Sequence, residues 1–304
     1  MSVITIILRI IAVLLAVLNL VLWTMVVFTF KHRTKERIGV AVKIIIGLMF
    51  ISPIFIGLVF SFVPDEELYA LPTVRTVIDN LTIRNYIKVF KTLPILSYIK
   101  TSLVMCAMVI VVQVVVSSLS AYAFAFFKFP GRNLLFTLVL IAMMVPGQVV
   151  TITNFLTIRR LGLLNTYLGL TIISFAGGRS LFMFRQSYMS LPREMKEAAT
   201  VDGCSDLRYL WQFAIPLSLP SIASISIMLF IGEFNAYLWP LLVSRKPQMY
   251  TIQIGMAQMI GSDAIPTYGR MMAVAMLSLV IPIIVFLIGE DYLIAGMTRG
   301  AIKG

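Results

Sequence analysis

Apolar runs long enough to cross a bilayer alternate along this chain with short polar connections. Seven runs stand out: 3–30, 39–63, 101–127, 134–157, 167–187, 219–243 and 271–289. A spanning helix needs roughly 20 residues. The runs are continuous rather than alternating with a period of two, which favours helices over a barrel, and a helix in lipid satisfies its own backbone. The pattern predicts an all-α polytopic membrane protein. The first run lacks a basic leader and a small-residue cleavage site and is too long for a signal sequence, so it reads as a retained span. Arg9, near its start, can snorkel to the interface.

Composition agrees. Mean hydropathy is +0.97 and only 12% of residues are charged, against about 25% in a soluble domain. The net charge of +12 would suggest nucleic acid until the charges are placed. KHRTKERIGVAVK (31–43) carries five Lys/Arg against one Glu and abuts two spans. The positive-inside rule makes it cytoplasmic. Counting from there puts 128–133, 188–218 and 290–304 inside the cell, and 64–100, 158–166, 244–270 and the N-terminus outside. The partner is then the lipid bilayer and not nucleic acid.

Catalytic constellations are missing from the sequence. It contains no G-x-x-x-x-G-K-[ST], no H-E-x-x-H and no G-x-S-x-G, so ATP hydrolysis by this chain is not expected. His32 is the single histidine, and no metal site is expected. Cys106 and Cys204 read as inert thiols, and Glu290-Asp291 as a solvated helix end.

One segment breaks the apolar rhythm. EMKEAATVDGCSDLRYLWQFAIP (194–216) is charged and rich in good helix formers. Ser190 and Pro192 suggest a helix start, and Leu191, Met195 and Ala198 fall on one stripe. Gly203 suits the left-handed position that ends a helix. Ser205-Asp206 can cap a second helix, DLRYLWQF, which stops near Pro216. On residue chemistry alone, this helix–turn–helix reads equally as an interfacial hairpin without a partner.

The spacing of Glu197-Ala198-Ala199, Gly203 and Phe213-Ala214-Ile215-Pro216 resembles the EAA loop of ABC importer permeases, with Phe213 and Ile215 as mild departures at two aliphatic positions. AYAFAFFKFPGRN (121–133), MVPGQVV (144–150), LGLLNTYLGL (161–170), FNAYLWPLLV (234–243) and GAIKG (300–304) resemble the maltose-type carbohydrate permeases, in the same order. The resemblance implies a six-span type I ABC importer permease core at 39–304, with the EAA loop at about 188–218. An extra N-terminal transmembrane helix and basic loop would occupy 1–38.

The same resemblance implies an ATPase-coupling set of Glu197, Ala198, Ala199, Asp202, Gly203 and Pro216. Implied partners are a second homologous permease in a heterodimer, two cytoplasmic ABC ATPase subunits and an extracellular solute-binding protein. ATP and Mg would sit on the ATPases, with no cofactor in this chain. The tail 299–304 would reach between the ATPases. An importer permease for an amino acid or phosphate, and a membrane-embedded transferase, remain as alternative classes.

Two ionisable residues fall deep within runs, Arg179 and Glu233. A charge at bilayer depth costs on the order of 3 kcal/mol, so both should face protein or water. They can form a mutual salt bridge, or line a translocation path with Asn235 and Tyr237. The family's stretch usually carries an acid where this chain has Ala236. A cationic lining at Arg179 would suit an acidic sugar. Gly177-Gly178 reads as a close-packing site, with a local break as the alternative.

Overall fold

The structure, a computed structural model, describes residues 34–69, 77, 79–262 and 267–298. The expected span 3–30, His32 and the tail 299–304 lie outside the described residues. In chain order the helices are α1 (Thr34–Ser61), α2 (Asp65–Tyr69), α3 (Arg84–Thr92), α4 (Ile95–Phe126), α5 (Arg132–Met143) and α6 (Gly147–Arg160). There follow α7 (Tyr167–Ser174), α8 (Gly178–Met189), α9 (Arg193–Val201), α10 (Asp206–Leu217) and α11 (Leu219–Phe234). The last three are α12 (Leu238–Val243), α13 (Ile252–Ser262) and α14 (Tyr268–Thr298). All described elements are helical, as the apolar runs predict.

Three helices are long and apolar enough to span a membrane unbroken: α1 from Gly39, α4, and α14 as far as Leu293. Three further candidates are bent pairs. The pair α5–α6 bends by 96°, α7–α8 by 52° and α10–α11 by 76°. The runs at 134–157 and 167–187 are therefore not single straight helices, and 219–243 is interrupted after Phe234. Each break has a local cause. Pro146 cannot continue α5, and Gly177 adopts an extended conformation ahead of α8. At the end of α11, Asn235-Ala236-Tyr237 leave the helix before α12 begins. Apolar patterning reports what lipid and core will accept, and it is blind to such kinks.

The described residues divide into two compact units, those within 1–93 and 259–277, and those within 94–258 and 278–304. In the first, Asn85 on α3 donates to the carbonyls of Ser61 (3.0 Å) and Val63 (2.7 Å), which closes the end of α1. Buried Asp65 accepts from the Gly269 amide at 2.8 Å and the Arg270 guanidinium at 3.1 Å. This fixes α2 to the start of α14. Removing one partner of a buried ion pair typically costs about 3 kcal/mol, because the other charge is stranded. Asp65→Ala is expected to lower the thermal unfolding temperature of the detergent-solubilised protein by several degrees, and an unchanged transition would remove this clamp.

In the second unit α4 is the axis on which the other elements are hung. Near its start, the Ser102 hydroxyl accepts from the Ile252 amide at 3.0 Å. Midway, Gln113 donates to Ser180 of α8 at 2.8 Å. Near its end, Tyr122 donates to Asp206 of α10 at 3.0 Å. Ser102 and Tyr122 lie 20 residues apart on α4, about 30 Å along a helix. That matches the thickness of a hydrocarbon core, and the 188–218 hairpin and the start of α13 are held at opposite ends of α4.

Candidate functional site

The hairpin is built as its residues dictate, with some corrections. Helix α9 ends in a Schellman turn. The Cys204 amide donates to Ala199 O at 2.9 Å and the Gly203 amide to Thr200 O at 3.1 Å. Gly203 has φ +76°, the left-handed conformation expected of it. Ser205 caps α10, accepting from the Arg208 amide at 3.4 Å. Ser190 is not the cap of α9: its hydroxyl donates to Ser187 O at 2.7 Å, and Pro192 occupies the cap position. The second helix stops near Pro216, as expected: α10 ends at Leu217, one residue later, after a π-turn at Leu210–Ala214. That wider turn tolerates a proline, whose missing N–H would otherwise break the ladder.

The apolar stripe of α9 also differs. Leu191, Met195 and Ala199, at i, i+4 and i+8, pack against a core of Tyr122, Phe184, Tyr188, Tyr209 and Leu210. Ala198, expected on that stripe, is exposed with Glu197, Asp202 and Gly203. Ala199 therefore serves the chain's own packing, while Glu197 and Ala198 present an outer face. Beside them Val201 is 87% exposed and Leu207 60% exposed.

A charged tether not anticipated from the sequence holds the two arms together. Lys196 of α9 pairs with Asp206 of α10 at 2.6 Å, and the same Asp206 oxygen accepts from Tyr122 of α4. The Lys196 ammonium also lies 4.5 Å from the Tyr209 ring centroid. The Lys196 hydrogen bond, seconded by Tyr122, holds the Asp206 carboxyl below its ordinary range. Opposite charges flanking Gly203 were the available signal: once the glycine folds the chain back, they meet.

The membrane-depth residues form a second arrangement, also in this unit. Glu233, at the end of α11, lies beside Ser174 of α7. Trp239 of α12 donates to Leu170 O of α7 at 3.1 Å. Asn235 accepts from Gln253 of α13 at 3.4 Å, and Gln253 also reaches Ser278 of α14 at 3.4 Å. The breaks at 175–177 and 235–237 thus gather polar groups from five helices, α7 and α11–α14. Tyr237 is exposed beside them.

Arg179 and Glu233 do not pair. Among the described residues no ion pair joins them. The Gln113–Ser180 bond sets Arg179 level with the middle of α4, whereas the Cys106 thiol meets Phe230 O, one turn before Glu233 and close to the Ser102 end. They lie at different depths. Gly177-Gly178 is a close-packing site: a Cβ at Gly177 would collide with the Gln113 amide, and one at Gly178 with Met143.

A helical membrane core with broken spans and a polar hairpin at one face defines a transport permease. Residues 113–298, more than half of the chain, match the family of binding-protein-dependent transport system inner membrane components. The chain belongs to that family. It is the permease subunit of an ABC importer, a multi-pass membrane protein and not itself an enzyme.

The sn-glycerol-3-phosphate transport system permease protein UgpE of Yersinia enterocolitica is 32% identical over 275 residues, covering 88% of this chain and 98% of that protein. The arabinooligosaccharides transport system permease protein AraQ of Halalkalibacterium halodurans is 31% identical over 267 residues, covering 85% and 95%. A bacterial ABC transporter involved in import of the acidic polysaccharide alginate shares the fold. Its TM-score is 0.73 at 21% identity, covering 86% of this chain and 99% of that one.

Proposed function

We propose that this subunit carries a sugar or related polyhydroxylated solute into the cell, driven by ATPases that grip the 188–218 hairpin from the cytoplasm. The observation that carries this reading is the hairpin's construction. Its inner face is packed on α4 and α8, while Glu197, Ala198 and Val201 face outward, uncovered by any of the described residues. Two ATPase subunits, a second permease in a heterodimer and an external solute-binding protein complete the assembly. The C-terminus and the hairpin are cytoplasmic and the N-terminus external. Residues 39–304 form the six-span permease core, and 1–38 form an additional N-terminal span and basic loop.

Relatives named for glycerol phosphate, arabinooligosaccharides and alginate support a hydroxyl-rich cargo. Asn235 and Tyr237 supply the amide and aromatic ring that hydroxyls and pyranose faces require, and Glu233 adds an acceptor near them. An ATPase assay on the reconstituted complex tests the reading. Stimulation by a sugar-loaded binding protein is expected, and stimulation by amino-acid ligands alone would contradict it.

Arg179 is exposed in the first turn of α8, just after the break, where a cation favours acidic cargo. In transport assays Arg179→Ala is expected to reduce uptake of a uronic oligosaccharide about tenfold more than that of its neutral counterpart, the equivalent of one lost charge-assisted hydrogen bond. Equal losses for the two would remove Arg179 from the selective path.

A further inference from the structure

Between Asp79 and Glu194 the chain contains no acidic residue, yet eleven Lys and Arg fall in that interval. Their counter-charges must come from outside the stretch. Three of them, Lys128, Arg132 and Arg185, gather where α4 ends on the hairpin's side of the membrane. Arg132 donates to Phe127 O at 3.1 Å and Arg185 to Phe124 O at 3.3 Å, so both guanidinium groups surround the last turn of α4. Arg185 also lies over the Phe136 ring at 4.1 Å, one turn along α5 from Arg132. Among the described residues no carboxylate forms an ion pair with any of the three.

Capping of α4 explains only part of this. A guanidinium has five N–H donors, and one carbonyl apiece leaves most of them unused. Lys128 is exposed. The adjoining surface is apolar: α5 buries none of its residues, and Leu134, Leu135, Leu138 and Ile141 are all exposed along it. An outward leucine face at membrane depth, ending at its water-side edge in an unpaired cationic cluster, has the chemistry of a lipid seat. Acyl chains fit the first part and a headgroup phosphate the second.

We propose that Lys128, Arg132 and Arg185 bind the phosphate of an anionic phospholipid in the leaflet on the hairpin's side, its acyl chains lying along α5. Because the seat adjoins Tyr122 and the hairpin anchor, the lipid would brace the end of α4 against which the hairpin rests. The site is independent of the cargo and of the ATPase assignment.

Native mass spectrometry of the intact importer complex, loaded with phosphatidylglycerol or with phosphatidylcholine, tests this. The wild-type complex is expected to retain phosphatidylglycerol preferentially. Each cation near an anionic headgroup contributes about fivefold in affinity, so Lys128→Gln with Arg132→Gln should weaken retention about 25-fold. The charge-keeping pair Lys128→Arg with Arg132→Lys should preserve it. Equal retention of the two lipids by the wild-type complex would overturn the proposal without recourse to any variant. Displacement of the lipid by millimolar inorganic phosphate would reassign the cluster to a soluble anion, and a second permease crosslinked across α5 in place of lipid would also overturn it.

Discussion

Glu197→Lys is expected to abolish import and solute-stimulated ATP hydrolysis while the permease still inserts into the membrane. Glu197 is exposed on α9, and its carboxylate forms no hydrogen bond or ion pair among the described residues, so the fold has no stake in it. A partner surface has a large one. Truncating one member of an interfacial charge pair costs about 2–5 kcal/mol, and reversing its sign adds repulsion. Docking should weaken by at least about thirtyfold on that basis. Co-purification of the ATPase and its activity in proteoliposomes are the readouts. Gly203→Val should act in the same direction by another route. At φ +76° a side chain costs about 1–2 kcal/mol, which opens the turn. Nothing lies within 4 Å of a Cβ there, so Gly203→Asn, which tolerates the left-handed region, should keep most activity. Normal import by both Glu197→Lys and Gly203→Val would remove the hairpin from the drive train.

Asp206→Ala is expected to uncouple the machine rather than dismantle it: ATP hydrolysis continues and import falls about tenfold or more. Asp206 is bonded to both α9 and α4, through Lys196 and Tyr122. Its side chain is 53% exposed, so the ion pair adds about 1 kcal/mol or less to folding. The loss is mechanical, because α9 can then pivot on its apolar stripe instead of moving α4. Tyr122→Phe, which removes only the link to α4, should reproduce part of the effect, and a ratio of solute moved to ATP hydrolysed is the measurement. An unaltered ratio in Asp206→Ala would show that the tether carries no force. The pH dependence has a definite sign. A carboxyl held below its ordinary range stabilises the tether above its unfolded pKa, and the contribution disappears as pH falls through the lowered value. Coupling should therefore be insensitive to this group from pH 6 to 8 and weaken only in strong acid.

How far residues alone revealed this molecule depends on what each signal measures. Apolar run length located every described candidate span, because lipid imposes a minimum length and forbids charge. It did not reveal the bends at Pro146, Gly177 and Ser218 or the break after Phe234, since a broken span and a straight one have the same hydropathy. Gly203 was legible because few other residues accept its conformation. The stripe of α9 was misassigned by one position: Ala198 and Ala199 are chemically identical neighbours, and only packing against Tyr209 and Phe184 decides which is buried. The Lys196–Asp206–Tyr122 tether joins residues up to 84 apart in sequence. Its long-range member, Tyr122, sits in an apolar run where a tyrosine gives no sign of its partner.

Crosslinking between the hairpin tip and the ATPase addresses the central claim most directly. Val201→Cys, in a Cys204→Ser background because Cys204 is only half-buried, places a thiol at a fully open position beside Glu197. In the co-expressed complex a short bismaleimide should join this thiol to the ATPase subunit, with a yield that changes when ATP is bound. Modification of the thiol from the external face of intact cells, with no ATPase adduct in any nucleotide state, would contradict it.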